Sequence, residues 1–122
     1  RFLAPVAAAS LYTTAADYAK FMSAVLSDAR IVSLILSNPV PVDPALGLQW
    51  GLGWGIESAE GGPYLWQWGN NPGYRAFAMA SVASGDGFVL LTNSERGMPL
   101  AASLAHSVLP AEHKVFRFSM VA

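Results

Sequence analysis

One segment near the start of the chain repeats apolar residues at helical spacing. The apolar positions between Ala15 and Leu26 recur three and four residues apart, which is the period of a helix with one buried face. The stripe consists of Ala15, Tyr18, Ala19, Met22, Val25 and Leu26. Thr14 stands before it and Asp17 follows three residues later, which resembles a capping box. The pattern predicts a helix from about Ala15 to Leu26.

A second helical pattern lies near the end of the chain. Apolar residues are spaced for a helix from Gly97 to about Leu109, Pro99 suits its first turn, and Pro110 ends it. A shorter apolar run from Ile31 to Leu36 is compatible with a third helix. The segment that follows holds three prolines and is predicted as an extended loop from Asn38 to Pro44.

Between the helical patterns the apolar residues alternate with small or polar ones, which is the period of a β-strand. The alternating segments are Leu46 to Ile56, Tyr64 to Trp68, Tyr74 to Ala83 and Phe88 to Asn93, with Lys114 to Ala122 as a possible added edge strand. Short turn-forming sequences join them, so consecutive strands should pair as antiparallel neighbours. We expect an α+β fold: a β-meander of about four to five strands flanked by N- and C-terminal helices, which cover one face.

The first alternating segment has an unusual composition. From Leu46 to Ile56 one parity is bulky and apolar, whereas the other parity carries four glycines. Glycine weakens a strand, so a face made of glycines indicates close approach by another element. A helix packed on that face is favoured over a ligand.

Composition restricts the function classes. Apolar residues make up 53% of the 122 and charged residues 12%, about half the usual charged share. No apolar run reaches the roughly 18 residues that span a bilayer. Such a small chain cannot bury this much apolar surface alone, so we expect self-association or docking on another segment.

Charge and cysteine content exclude further classes. The net charge of -1 gives no basic patch for nucleic acid. The chain has no cysteine, which excludes disulfides and thiolate chemistry and leaves both cytoplasm and periplasm open. Nothing in the sequence implies a cofactor, and the scattered acidic residues form no metal-binding pattern.

The richest candidate for chemistry is the stretch from Gln67 to Tyr74. Aromatic residues end a predicted strand there, Gly69 permits close approach of a ligand, and turn-forming residues follow. On physical grounds alone an ordinary hairpin loop is favoured over a ligand-facing strand end.

Three stretches of the chain together resemble the serine β-lactamase-like hydrolases, a group that includes class C β-lactamases, D-alanyl-D-alanine peptidases and related esterases. They are Ser10 to Phe21, Leu52 to Gly55 with Trp66 to Arg75, and Thr92 to Gly97. The likeness runs from about Ala7 to Leu109. It implies hydrolysis of a small-molecule ester, amide or β-lactam by a serine nucleophile.

The resemblance also assigns roles to residues. Gln67, Trp68 and Gly69 occupy the family's third motif, which normally begins with Lys or His. The backbone N–H of Asn70 would form half of an oxyanion hole, worth about 3 kcal/mol in such sites. Gln67 carries no charge and cannot shuttle a proton. The resemblance makes Trp68, Asn71 and Tyr74 candidate substrate contacts.

Two family motifs are missing from the sequence. No serine is followed three positions later by lysine, and no tyrosine begins a Tyr-x-Asn or Tyr-x-Ser motif. Residues 1–122 are therefore interpreted as a single partial domain, either the C-terminal segment of a longer hydrolase of this kind or a truncated product, and as inactive alone.

Other candidates are weaker. His106 and His113 lie in or after the last helical pattern without an obvious serine or carboxylate partner and are expected to be structural. The four tryptophans share one strand parity; packing under a helix is favoured over a ligand-stacking platform. The alternative function is a non-catalytic binding or oligomerisation module that uses this aromatic sheet face.

Overall fold

The fold consists of three α-helices and one six-stranded antiparallel sheet, as described for residues 2–122 by a computed structural model. The helices are α1 (Ala15–Ser27), α2 (Ala29–Ser37) and α3 (Met98–Val108). The strands are β1 (Val40–Asp43), β2 (Leu48–Trp50), β3 (Gly55–Glu57), β4 (Tyr64–Asn71), β5 (Tyr74–Ser81) and β6 (Gly87–Thr92). The strands pair in chain order. The predicted α+β meander is confirmed, with six strands instead of four to five.

The helix starts follow the sequence closely. Thr14 caps α1, because its hydroxyl accepts the Asp17 N–H at 3.1 Å. Asp28 caps α2 by accepting two backbone N–H groups. Pro99 lies in the first turn of α3, where its missing N–H costs nothing. All three helical segments predicted from spacing are therefore helices.

The sheet has a hydrophobic core on each face. On one face, Trp66, Phe77 and Met79 pack with α3 and with the C-terminal residues Val115 and Val121. On the other face, smaller sheet residues pack with α1 and α2; the core there comprises Met22, Val25, Ile35, Trp54, Ile56, Leu65, Ala78 and Ala80. The expectation that helices cover only one face is wrong, because both parities of β4 and β5 are apolar and both must be buried.

The segment from Leu46 to Ile56 is a hairpin and not one strand. Trp50 pairs with Gly55, the Gly51 N–H donates to the Trp54 carbonyl at 2.8 Å, and Gly53 adopts a positive φ of 75°. The reversal divides the bulky residues between the two cores: Leu48 lies in one, and Trp54 and Ile56 in the other.

The predicted close approach to the glycine face is confirmed at Gly51. A Cβ there would overlap the carbonyl oxygen of Ile35 in α2. At Gly55 the close neighbour is an aromatic side chain and not a helix, because a Cβ there would overlap the ring of Trp66.

Two more predictions are wrong. The proline-rich segment contains β1, which is possible because Pro41 lies on an edge strand with a register break next to it. The C-terminal segment is no strand: a 3-10 helix, Lys114–Arg117, places Val115 in the core. Its backbone is diverted from sheet pairing, since the Val115 N–H donates to the buried carboxylate of Glu57 at 2.8 Å.

Candidate active site

The candidate site is built on the last residues of β4. This strand pairs with β5 along its whole length, from Tyr64 opposite Ser81 to Asn71 opposite Tyr74. On its other side β3 covers only the first three residues and ends where Gly55 pairs with Trp66. The five residues from Gln67 to Asn71 therefore have a strand neighbour on one side only.

The direction of each N–H along β4 follows from the alternation of an antiparallel ladder. The Val82 N–H donates to the Pro63 carbonyl at 3.0 Å, so this pair is hydrogen-bonded. Every second pair beyond it is hydrogen-bonded too, through Gly69 opposite Ala76. The intervening pair, Asn70 opposite Arg75, is not. The N–H of Asn70 therefore points away from β5, toward the side on which β3 has ended.

Gln67 occupies the same open side with its side-chain amide. Its Oε1 accepts the N–H of Trp68 at 3.0 Å, and its Nε2 donates to the Gly53 carbonyl at 3.0 Å. The amide thus ties β4 to the turn before β3 and satisfies two backbone groups that no strand reaches. Asn70 lies two residues beyond Trp68, so its N–H points to the same side of β4. Within residues 2–122 neither Gln67 nor any other residue accepts a hydrogen bond from this N–H.

A groove lies on the α1 face beside this strand end. Two adjoining cavities, of about 460 and 1250 Å³, share a floor at Gly69 and Ala76. The absence of a side chain at Gly69 leaves space in the groove, since a Cβ there would lie 3.3 Å from the Cβ of Ala76. Asn71 borders both cavities, and Tyr74, which is 61% exposed, borders the larger. Five of the six predicted site residues therefore border the groove, and Asn70 is the one that lines neither cavity.

The ring of Trp68 lies on the other face of the sheet. It packs edge-on against Trp50, with ring centroids 6.0 Å apart, and tilted against Trp66, and it belongs to the core beneath α3. This follows from the strand period, which puts Trp68 opposite to Gln67 and Gly69. Its ring does not face the groove, so its predicted role as a substrate contact is reduced to its backbone.

Two charged residues at the hairpin tip were not predicted as part of the site. Glu95, from the loop after β6, accepts the N–H of Gly73 at 3.1 Å. Arg75 donates from Nη1 to the carbonyl oxygens of Asn71 and Tyr74 at 3.1 and 2.9 Å. Together they fix the turn that ends β4. Glu95 lies inside the stretch from Thr92 to Gly97 that carries the resemblance, which was the available signal.

Three tyrosines border the groove, Tyr12, Tyr18 and Tyr74, and the pKa of one of them is shifted. Tyr18 of α1 lines the smaller cavity, and burial raises its pKa above the ordinary value of 10.0. The phenol therefore stays protonated near neutral pH. It cannot serve there as a phenolate base.

The comparison with protein families matches the β-lactamase family over residues 2–112. The chain belongs to the β-lactamase family. No curated protein and no solved structure matches it.

Family membership agrees with the fold described above. The residues likened to the third motif of this family, Gln67 to Gly69, are consecutive on β4 and adjoin the groove. Within residues 2–122, no helix is long and apolar enough to cross a bilayer. In the same residues no cluster of three or more histidine, cysteine or acidic side chains could hold a metal ion.

A buried ion pair lies away from the groove. His113 Nδ1 is 2.7 Å from Glu57 Oε1, and both side chains are at most 3% exposed. His113 Nε2 lies 2.6 Å from the Leu109 carbonyl, which can only accept, so Nε2 carries a proton. Burial lowers the pKa of His113, but hydrogen bonds to Glu57 and Leu109 and the carboxylate charge outweigh it and raise the pKa overall. His113 is structural, as expected, with a partner 56 residues away that spacing could not reveal.

Proposed function

We propose that this chain contributes the third-motif strand to a serine hydrolase that cleaves an ester, amide or β-lactam. In this assignment the N–H of Asn70 is one of the two donors that stabilise the oxyanion of the tetrahedral intermediate. The nucleophilic serine and its lysine would come from a segment outside these 122 residues.

The observation that carries the proposal is the direction of the Asn70 N–H. Ladder parity turns it away from β5, and β3 ends four residues earlier at the pair with Trp66. An N–H held by a rigid strand and free of a protein acceptor needs no reorganisation when charge develops on a substrate oxygen. A backbone donor also tolerates any side chain other than proline at that position.

Gln67 limits the chemistry that this strand can support. Both ends of its amide are engaged, with Trp68 N–H and the Gly53 carbonyl. A neutral amide in this place holds the strand end but neither moves a proton nor attracts a carboxylate. Substrates without an anionic carboxylate beside the scissile bond suit this site better than substrates that need a lysine or histidine there.

The proposal is tested with a tetrahedral anion that imitates the intermediate. Benzylphosphonate is titrated into the ¹⁵N-labelled chain, and amide shifts are followed by NMR. We expect the amide of Asn70 to shift most. Asn70→Pro removes this N–H and should weaken binding roughly 10- to 100-fold, the range for a hydrogen bond to a charged group. Proline is acceptable there because the lost N–H makes no ladder bond.

The matched control is Asn70→Ala, which removes the side chain and keeps the N–H. It should bind the phosphonate as the unmodified chain does. Equal binding by Asn70→Pro and Asn70→Ala would reject the oxyanion role. The chain alone should not turn over nitrocefin or p-nitrophenyl acetate; saturable turnover would show that the nucleophile is within it.

The aromatic sheet face offers little to the alternative of a binding module. Trp66 is fully buried, and its neighbours Trp50 and Trp68 pack against it and beneath the C-terminal segment. We therefore do not propose this face as a ligand surface.

A further inference from the structure

The hairpin of β4 and β5 has a turn that does not by itself match the twist of its strands. Pro72 and Gly73 connect the two strands, and Gly73 has a positive φ of 79°. Two-residue hairpins favour the primed turns, which need a positive φ at the first central residue. Proline cannot adopt one, because its ring holds φ at about −65°. A positive φ at the second central residue is the pattern of a type II turn, which splays the flanking strands.

The end of β4 depends on this turn more than the rest of the strand does. Strand β3 ends opposite Trp66, and the amide of Gln67 reaches only as far as the N–H of Trp68. Within residues 2–122, β5 is the only strand beside the residues that follow. The pair of Asn70 with Arg75 is not hydrogen-bonded and lies next to the last pair before the turn. Splaying at the turn would therefore change the direction of the Asn70 N–H.

Glu95 opposes this splaying from outside the hairpin. Its Oε1 accepts the N–H of Gly73 at 3.1 Å, which is a charge-assisted hydrogen bond to the turn itself. The contact joins residues 22 positions apart and ties the turn to the loop between β6 and α3. The turn therefore has a support that neither β4 nor β5 provides.

The loop that carries Glu95 is itself fastened to β5. The hydroxyl of Thr92 lies 2.9 Å from the carbonyl oxygen of Arg75, to which it can donate. Gly97 packs so closely here that a Cβ would lie 2.5 Å from the Thr92 Oγ1 and 3.0 Å from the Arg75 Cβ. Glu95 therefore reaches the turn from a loop that is held against the start of β5.

We propose that Glu95 is a positioning residue for the reaction: by holding the turn at Gly73, it keeps the N–H of Asn70 directed at the substrate oxygen. The role rests on the proposed function, since it assumes that this N–H stabilises the oxyanion. Glu95 lines neither cavity and acts through the backbone of the hairpin. The contact requires only an acceptor for the Gly73 N–H, so an amide oxygen should replace the carboxylate.

The first measurement is the ¹⁵N amide order parameter along β4 in the full chain. In Glu95→Ala we expect the value for Asn70 to fall from about 0.85 to below about 0.6, whereas Gly69, whose N–H bonds to β5, should stay rigid. Glu95→Gln keeps an acceptor for Gly73 and should preserve both values. Unchanged order at Asn70 in Glu95→Ala would overturn the proposal, and so would an equal loss at Gly69, which would mean general loosening of the sheet.

The affinity for benzylphosphonate connects the turn to the donor. Both Glu95 variants remove the same negative charge, so a difference between them reports the hydrogen bond alone. Glu95→Ala should bind the phosphonate about 3- to 10-fold more weakly than Glu95→Gln, the range for one hydrogen bond. The control Glu112→Ala removes an exposed carboxylate that pairs with Arg117 and should bind as the unmodified chain does.

Failure of this proposal can be distinguished from failure of the proposed function. Equal binding by the two Glu95 variants, with binding still seen at the Asn70 amide, would reject the positioning role and leave the oxyanion role in place. If the unmodified chain binds no phosphonate, the oxyanion role fails. The order parameters of the Glu95 variants then decide alone whether Glu95 orients the Asn70 N–H.

Discussion

At the scale of single residues, Gln67 explains how a strand end can be open and still ordered. Its amide accepts from Trp68 and donates to Gly53, so two backbone groups beyond the reach of β3 are satisfied by one side chain. The family resemblance identified Gln67 as a departure from a charged residue. The structure gives it a positive role in holding β4 to the neighbouring turn.

Substitution of Gln67 should therefore reduce stability. Gln67→Ala removes both hydrogen bonds and should lower the free energy of unfolding by about 1 kcal/mol, measured by urea denaturation. Gln67→Glu keeps the bond from Trp68 but sets a carboxylate oxygen against the Gly53 carbonyl, so its loss should be at least as large. Asn71→Ala is the control, because the Asn71 side chain makes no hydrogen bond within residues 2–122 and should change stability by less than about 0.5 kcal/mol. Equal stability of Gln67→Ala and this control would contradict the role.

The pair formed by His113 and Glu57 makes stability depend on pH. The folded-state pKa of His113 lies above its unfolded value of 6.5, so the folded chain binds this proton more tightly. Its contribution is complete below pH 6.5 and is lost as the pH rises through the folded pKa.

We expect the urea midpoint to fall between about pH 6.5 and the folded pKa of His113. In His113→Gln this part of the pH dependence should disappear, while the hydrogen bond to Glu57 can still form. A midpoint that rises over this interval in the unmodified chain would give the opposite sign and refute the assignment.

At the scale of elements, the hairpin of β2 and β3 is where the pattern misled. Period-two alternation cannot distinguish one long strand from two strands joined by a turn, because bulky residues continue at every second position through the four-residue turn. The pairing of Trp50 with Gly55 nevertheless moves these positions to the opposite face of the sheet after the turn. Gly51 and Gly53 mark the reversal: one meets the backbone of α2, and the other adopts a positive φ. The glycine pattern correctly predicted contact with a helix and concealed the turn.

A side chain at Gly51 should displace α2. Gly51→Ala puts a methyl group against the Ile35 carbonyl and should cost about 1–3 kcal/mol of stability, as overpacking does. Leu52→Ala, in the same turn and 67% exposed, is the control and should be nearly neutral. Thermal or urea unfolding measures both; a neutral Gly51→Ala would mean that α2 does not lie against this turn.

Local signals predicted most elements and few of the long-range relations. Thr14 and Pro99 placed helix starts, and alternation placed β4, β5 and β6. The contact of Glu57 with His113 and Val115 joins residues more than 50 apart, and no periodicity encodes it. The candidate site was chosen from the sequence at Gln67 to Tyr74, but the orientations of the Trp68 ring and of the Asn70 N–H follow only from the observed strand pairing.

At the scale of the whole molecule, strand ends and edges determine what the sheet can bind. Within residues 2–122, β1 is irregularly paired, β6 has a strand neighbour on one side only, and β4 extends past β3 at the candidate site. The low charge content of the sequence predicted an interface without locating it. That interface stays a prediction, whereas the ladder rule turns the N–H of Asn70 toward the open side of β4.

The availability of the Asn70 N–H is tested most directly by amide hydrogen exchange along β4, measured by NMR in the free chain. We expect strong protection at Gly69, whose N–H bonds to β5, and exchange near the unprotected rate at Asn70, whose N–H faces the open side. Protection of Asn70 equal to that of Gly69 would place its N–H in a hydrogen bond and contradict its availability to a substrate oxygen.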